Sequence, residues 1–170
     1  MSTATATLGE IEVLRHAART TQQVLRMNLE GLTQEESLIH PEPAGNCLNW
    51  IVGHLLCVYN DVLPMVDQEP VMPKDTLKRY GRGTPPLRNA DEALPLSELV
   101  AKCEEAVKRL ENGLGALTPE RLDSPAPFSP TQNPKETVRS LLAIVAFHQA
   151  YHVGQTGVLR RITGKQGAIA

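Results

Sequence analysis

Residues 133–164 read NPKETVRSLLAIVAFHQAYHVGQTGVLRRITG, and the fold turns on how this stretch is understood. Asn133, Pro134 and Glu136 carry the signature of a helix start, with a cap, a proline at the first helical position and a capping-box acid. Gly164 reads as a left-handed stop after Arg160 and Arg161, a basic pair that suits the negative end of a helix. Between those signals the apolar residues recur at helical spacing. At 100° per residue Leu141, His148, His152 and Gln155 share one narrow stripe, with Ile144 and Leu159 beside it. The stripe is core-facing, so two imidazoles four residues apart point into the protein. Their Cβ atoms are about 5–6 Å apart, close enough for both rings to reach one ion at about 2.0–2.1 Å.

Working back along the chain, three more helices appear. Leu8, Ile11, Leu14, Ala18, Leu25, Leu29 and Leu32 define a long amphipathic helix over 8–32. After PEPAGN, Asn46 is placed to cap a second, CLNWIVGHLLCVYNDVLPMV, which Pro64 ends or kinks. Ser97 is placed to cap a third, whose stripe runs from Leu99 to Leu117, with Gly113 and Gly115 weakening its last turn. No alternating strand pattern occurs, so the chain is predicted to be all-α, a four-helix bundle with long Pro-rich connections after helices two and three. One domain over 8–164 is expected, preceded by a disordered N-terminus at 1–7 and followed by a tail at 165–170.

Residues 69–95 hold five prolines and no sustained period. Connections of that length tend to be lids or binding loops, so the segment is expected to form a surface flap. Lys74, Lys78, Arg79, Arg82 and Arg88 make it basic, which suits either a solvated loop or a lid for a carboxylate-bearing substrate.

With 17 Lys and Arg against 19 Asp and Glu, no basic field exists to recruit nucleic acid or anionic lipid. Cys47, Cys57 and Cys103 are scattered and form no C-x-x-C, which fits a reducing compartment and argues against a disulfide scaffold. MSTATAT lacks the basic start and apolar run of a secretory leader, and no stretch approaches a membrane span; a cytoplasmic protein is the expectation.

Of the remaining histidines, His54 lies on the second helix, on a face shared with Trp50, Val58 and Asp61. From pattern alone it serves equally as a satisfied core histidine or as a third ligand. His16 sits on the polar side of helix one and His40 in a loop before Pro41, so both are weaker candidates. Asp61, two turns after His54, is a candidate to accept a hydrogen bond from an imidazole N–H and so fix its tautomer and ring direction. Gln155 and Tyr151 are candidate catalytic residues, the one bonding a metal-bound water, the other acting as an acid or donor.

NWIVGHLL in the second helix, together with HQAYHVGQTGVLRRITGK in the fourth, resembles the DinB/YfiT superfamily of small bacterial metalloproteins. The resemblance implies a four-helix bundle with a metal triad of His54, His148 and His152, and it matches further at Trp50, Gly154 and Gln155. It implies a divalent ion, nickel or zinc above others, and a small-molecule substrate. Relatives include transferases and isomerases that use low-molecular-weight thiols, and others described as hydrolases. Position 149 is Gln, where the similar zincin motif H-E-x-x-H places its base, which disfavours ordinary peptidase chemistry. The expected function is therefore a metal-dependent thiol-S-transferase or detoxification enzyme. The competing readings are a non-catalytic, metal-stabilised binding or stress-response module, with homodimerisation through exposed helix faces, and a metal-dependent hydrolase.

Overall fold

In the computed structural model, residues 3–169 are described, and side chains from Gly9 onward. Four long helices carry the fold: α1 (Thr3–Leu29), α3 (Leu48–Val62), α5 (Leu96–Ala116) and α7 (Val138–Ile162). Three short ones lie between them: α2 (Gln34–Ser37), α4 (Lys74–Leu77) and α6 (Pro119–Asp123). No strand is formed among the described residues. α1 packs against α5 and α7, and α3 packs against the same two, so the long helices surround one core with α1 diagonal to α3. Of the N-terminal stretch expected to be disordered, residues 1 and 2 lie outside the described residues, and α1 is drawn from Thr3.

α3 is the central element. Twelve of its fifteen residues are buried, including Leu48, Ile51, Val52, Leu55 and Leu56. Such a helix is enclosed on nearly every side, which is the place of the most apolar of the long helices. It stops at Pro64, as expected, in a 3-10 turn over Leu63–Val66. That turn lies directly against α5: a Cβ on Gly113 would fall 2.4 Å from the Val66 carbonyl oxygen. Gly113 is thus a point of close approach, and α5 continues through it to Ala116.

Three expected helix starts are displaced. Cys47 and not Asn46 occupies the cap of α3, with no side-chain bond. Pro95 and not Ser97 precedes α5, where Gln34 of α2 supplies the cap from a distance, its Oε1 accepting from Leu96 N–H at 2.7 Å. α7 begins at Val138, four residues after Pro134, with Thr137 and Ser140 forming the capping box. The cause is a pairing of the preceding segment. Ala126 N–H donates to Glu136 C=O at 2.9 Å and Val138 N–H to Ser124 C=O at 3.0 Å. These bonds hold the backbone around Glu136 out of the helix, so the NPKE motif closes a turn instead, with Lys135 N–H donating to Asn133 Oδ1. At the other end Gly164, at φ +85°, provides the expected stop.

Residues 69–95 do not form a loose flap. Val71, Met72, Leu77, Tyr80 and Leu87 are all buried in the common core. Asn60 of α3 clamps the start, donating to Met72 C=O at 2.6 Å and accepting from Val71 N–H at 2.9 Å. Asn49 clamps the end, donating to Leu94 C=O at 2.9 Å. The apolar residues are spaced irregularly because the segment follows α3 in short turns, which is why no period announced them.

Candidate metal centre

α3 places Trp50 and His54 one turn apart on its α7-facing side. Their rings stack with centroids 4.8 Å apart and planes inclined by 13°. The indole N–H is satisfied by Arg79 C=O and Thr84 Oγ, so Trp50 is locked and in turn fixes the plane of His54. His54 is 7% exposed. From α7, His148 and His152 meet it: ring centroids lie 5.1 Å and 5.0 Å from His54 and 4.5 Å from each other. The three sequence-predicted ligands therefore come together, each offering one nitrogen, and those nitrogens lie within 4.8 Å of one another.

Each ring has its Nδ1 occupied. His54 Nδ1 faces Tyr80 C=O at 2.9 Å, His148 Nδ1 faces Gln149 Oε1 at 3.2 Å, and His152 Nδ1 faces Gln155 Oε1 at 2.7 Å. An oxygen acceptor at Nδ1 requires the proton there, which leaves a bare lone pair on Nε2. The orientation of Gln149 is independently fixed, since its amide nitrogen donates to Leu55 C=O at 3.1 Å. Two of the bare nitrogens, His54 Nε2 and His148 Nε2, lie 3.2 Å apart. Two ligands at about 2.0–2.1 Å in a tetrahedral shell stand about 3.3 Å apart, so the spacing fits a shared cation.

The electrostatics favour the same state. Burial depresses all three imidazoles below their ordinary value. His148 falls furthest, to about 4, through burial first and then the neighbouring charge of His152, with His54 and Arg82 adding to it. All three rings are neutral at pH 7, the form that binds metal.

One wall of a cavity of about 820 Å³ is formed by this triad. Ile51, Val58, Leu141, Ile144, Val145 and Leu159 supply an apolar lining, so an outside molecule can reach the three nitrogens. Cys57 also lines it, but burial holds its thiol up at about 12 and Sγ donates to Leu77 C=O, so it stays a protonated filler.

The other expected site residues divide. Gln155 lines the cavity, and its Oε1 faces His152 Nδ1 at 2.7 Å, so it orients that ring. Tyr151 is 57% exposed, packs edge-on against His152 from outside and does not line the cavity. A residue one position from a ligand on a helix is rotated by about 100°, which carries it off the buried face. Asp61 is half exposed and pairs with Lys74 at 3.6 Å, so it orients no imidazole. That task falls to the Tyr80 carbonyl, which sequence reasoning missed. The two ring nitrogens of His40 face the backbone carbonyls of Gly45 and Leu87, away from the triad, and His16 is exposed.

Gly53 makes the Tyr80 contact possible. A Cβ there would lie 2.1 Å from Tyr80 Cδ1, so only glycine lets the fully buried ring lie against α3. The ring is pinned at its far end, its hydroxyl donating to Asn49 Oδ1 at 3.0 Å and accepting from Leu94 N–H at 2.7 Å.

A bundle of four helices with three histidines converging on an open cavity defines a class of helical proteins with a candidate metal centre. The chain belongs to the DinB superfamily, whose sequence profile matches residues 17–156, a span that contains all three histidines. No curated protein sequence matches it. Among solved structures, the fold is similar to that of a conserved protein from Enterococcus faecalis, with a TM-score of 0.70 at 15% identity, over 91% of this chain and 97% of that one. Among the described residues no helix is long and apolar enough to cross a membrane.

Proposed function

We propose that this protein is a metal-dependent enzyme that binds a divalent ion, zinc or nickel, at His54, His148 and His152 and transfers or adds a low-molecular-weight thiol to a small electrophile. The observation that carries the reading is the convergence of three Nε2 lone pairs on the wall of a cavity large enough for a ligand. A divalent cation bound there supplies Lewis acidity that favours the thiolate of a bound thiol.

The chain's own residues support thiol chemistry over peptidase-type hydrolysis. A cation on three imidazoles could favour either a bound hydroxide or a bound thiolate without a carboxylate base, but peptidase-type hydrolysis uses one, and the residue beside His148 is Gln149, an amide committed to His148 and to Leu55 C=O. The one carboxylate lining the cavity, Asp61, is paired with Lys74. A thiol, more acidic than water by several pKa units, ionises without such a base. Tyr80, Gln149 and Gln155 hold the imidazoles in the tautomer that presents Nε2, and Trp50 stacks on the ring of His54.

The test has two stages. Elemental analysis of protein purified without an affinity tag should find close to one zinc or nickel per chain, and His148→Ala should lose it. The loaded protein is then incubated with an electrophile, 1-chloro-2,4-dinitrobenzene, and a panel of cellular thiols. Thioether formation that is absent in His148→Ala supports the reading. A metal-loaded protein that binds thiols saturably without turnover refutes it in favour of a binding module.

A further inference from the structure

Only two residues lining the cavity over the triad carry formal charge, Asp61 and Arg82. Asp61 lies 3.6 Å from the exposed ammonium of Lys74. Of the other cations in residues 69–95, Arg79 is engaged with Glu92 at 2.8 Å, and Lys78 and Arg88 do not line the cavity. Arg82 makes no ion pair and no side-chain hydrogen bond among the described residues, so its guanidinium is the one uncommitted charged donor at the cavity.

The backbone beneath Arg82 is fixed. Thr84 N–H donates to Gly81 C=O at 3.2 Å and closes a turn with Arg82 and Gly83 at its centre. Gly83 has φ +80°, the left-handed value that the third position of a type II turn requires. Thr84 Oγ donates to Arg79 C=O at 2.9 Å, and Trp50 holds both groups through its indole N–H. Tyr80, two residues before Arg82, grips His54 through its carbonyl. One short segment thus carries the carbonyl that meets a triad histidine and, two residues on, an unpaired arginine that lines the same cavity.

We infer that Arg82 is the specificity-determining anchor for the carboxylate of an amphipathic ligand whose apolar body fills the cavity over the histidines. The inference rests on this cavity being the substrate site of the proposed reaction. A single guanidinium matches a carboxylate charge for charge with two parallel N–H donors. A phosphate monoester carries close to two charges and calls for further cations, which the lining does not provide. The remainder of the wall is largely aliphatic, so the complementary molecule is a monocarboxylic acid with an apolar tail or ring.

The experiment compares octanoate with its neutral isostere octanamide, and with octyl phosphate, by calorimetric or ligand-observed NMR titration of metal-free protein. Zinc titration is run in parallel on the same variants. Wild type should prefer octanoate to octanamide by about tenfold, the lower end expected for one charge-assisted pair at an open site. Arg82→Ala should abolish the preference while leaving octanamide binding and zinc affinity within about twofold, since neither depends on a charge–charge contact. Arg82→Lys should keep part of it, and Arg79→Ala all of it. An undiminished preference in Arg82→Ala, no preference in wild type, or tighter binding of octyl phosphate would each overturn the assignment. Because the ligand titrations use no metal, failure of zinc binding with an Arg82-dependent preference intact would sink the metal-centre reading alone.

Discussion

Replacing Gly53 with alanine sets two opposite effects against each other. In an exposed helix interior the change gains about 1 kcal/mol of helix propensity. Here the new methyl group would stand 2.1, 2.4 and 2.5 Å from three carbons of the Tyr80 ring. Tyr80 is fully buried and cannot swing aside, because its hydroxyl is held by Asn49 and by Leu94 N–H. Overpacking of this kind costs about 1–3 kcal/mol, and a rigid ring belongs at the upper end. Displacing the hydroxyl adds about 1 kcal/mol for a lost hydrogen bond. The clash wins, with a net loss of about 3 kcal/mol, or a fall in Tm of about 6–12 °C for a domain of this size. The same movement withdraws the Tyr80 carbonyl from His54 Nδ1, and loss of such an outer partner lowers metal affinity by about 10- to 100-fold. Urea denaturation of metal-free protein and competitive zinc titration against a chromophoric chelator read the two effects separately. Stability unchanged within about 0.5 kcal/mol would refute the packing argument. A destabilised variant that binds zinc as tightly as wild type would refute the link from Gly53 through Tyr80 to the histidine.

Four further outcomes are expected. Gln155→Ala should weaken zinc binding by about tenfold while Asp61→Asn leaves it unchanged, since only Gln155 holds an imidazole; equal effects in the titration would undo that distinction. Thr137→Ala should cost about 1 kcal/mol in urea denaturation, and Asn133→Ala less than half of that, because the capping box of α7 is at Thr137. Metal-free protein should lose stability as pH falls from 6.5 toward 4: His148, at about 4 in the fold against 6.5 in the free side chain, binds fewer protons folded than unfolded across that window, so acid favours the unfolded chain. A urea midpoint in His148→Ala that falls as steeply as in wild type would contradict this. Chelation of the loaded protein should leave the far-UV circular dichroism of the helices within a few per cent, and a large loss would make the ion a structural element.

The four long helices were legible because each buries a stripe at regular spacing, and the turns at Pro64 and Gly164 were legible because their backbone chemistry is local. The three displaced caps were not. Gln34 lies 62 positions from the amide it caps at Leu96, and the Ser124–Ala126 segment that draws Glu136 out of α7 pairs across a loop. A cap motif reports only what a short peptide prefers, and a tertiary partner overrides it at little cost. Residues 69–95 failed for the opposite reason: their order comes from single anchors, Leu77, Tyr80 and Leu87, each meeting a different part of the core.

The triad divides along the same line. His148 and His152 are visible as a pair because one helix sets their spacing, whereas His54 joins them only through the packing of α3 on α7. What fixes that packing does not depend on an ion. Gln149 bridges α7 to the Leu55 carbonyl of α3, and Asn28 bridges α1 to Val153 C=O and Thr156 Oγ of α7 at 3.2 and 2.9 Å. Leu55 of α3 and Leu141 and Val145 of α7 are buried in the common core. The imidazoles are then aimed by three acceptors, each on a segment that the core already holds. Two lone pairs brought to 3.2 Å by a bundle that stands without them repel, so the cost of assembling the site is met by the packing of the fold. A cation held by His54, His148 and His152 would find its ligands already gathered, and it would supply Lewis acidity to whatever the cavity admits.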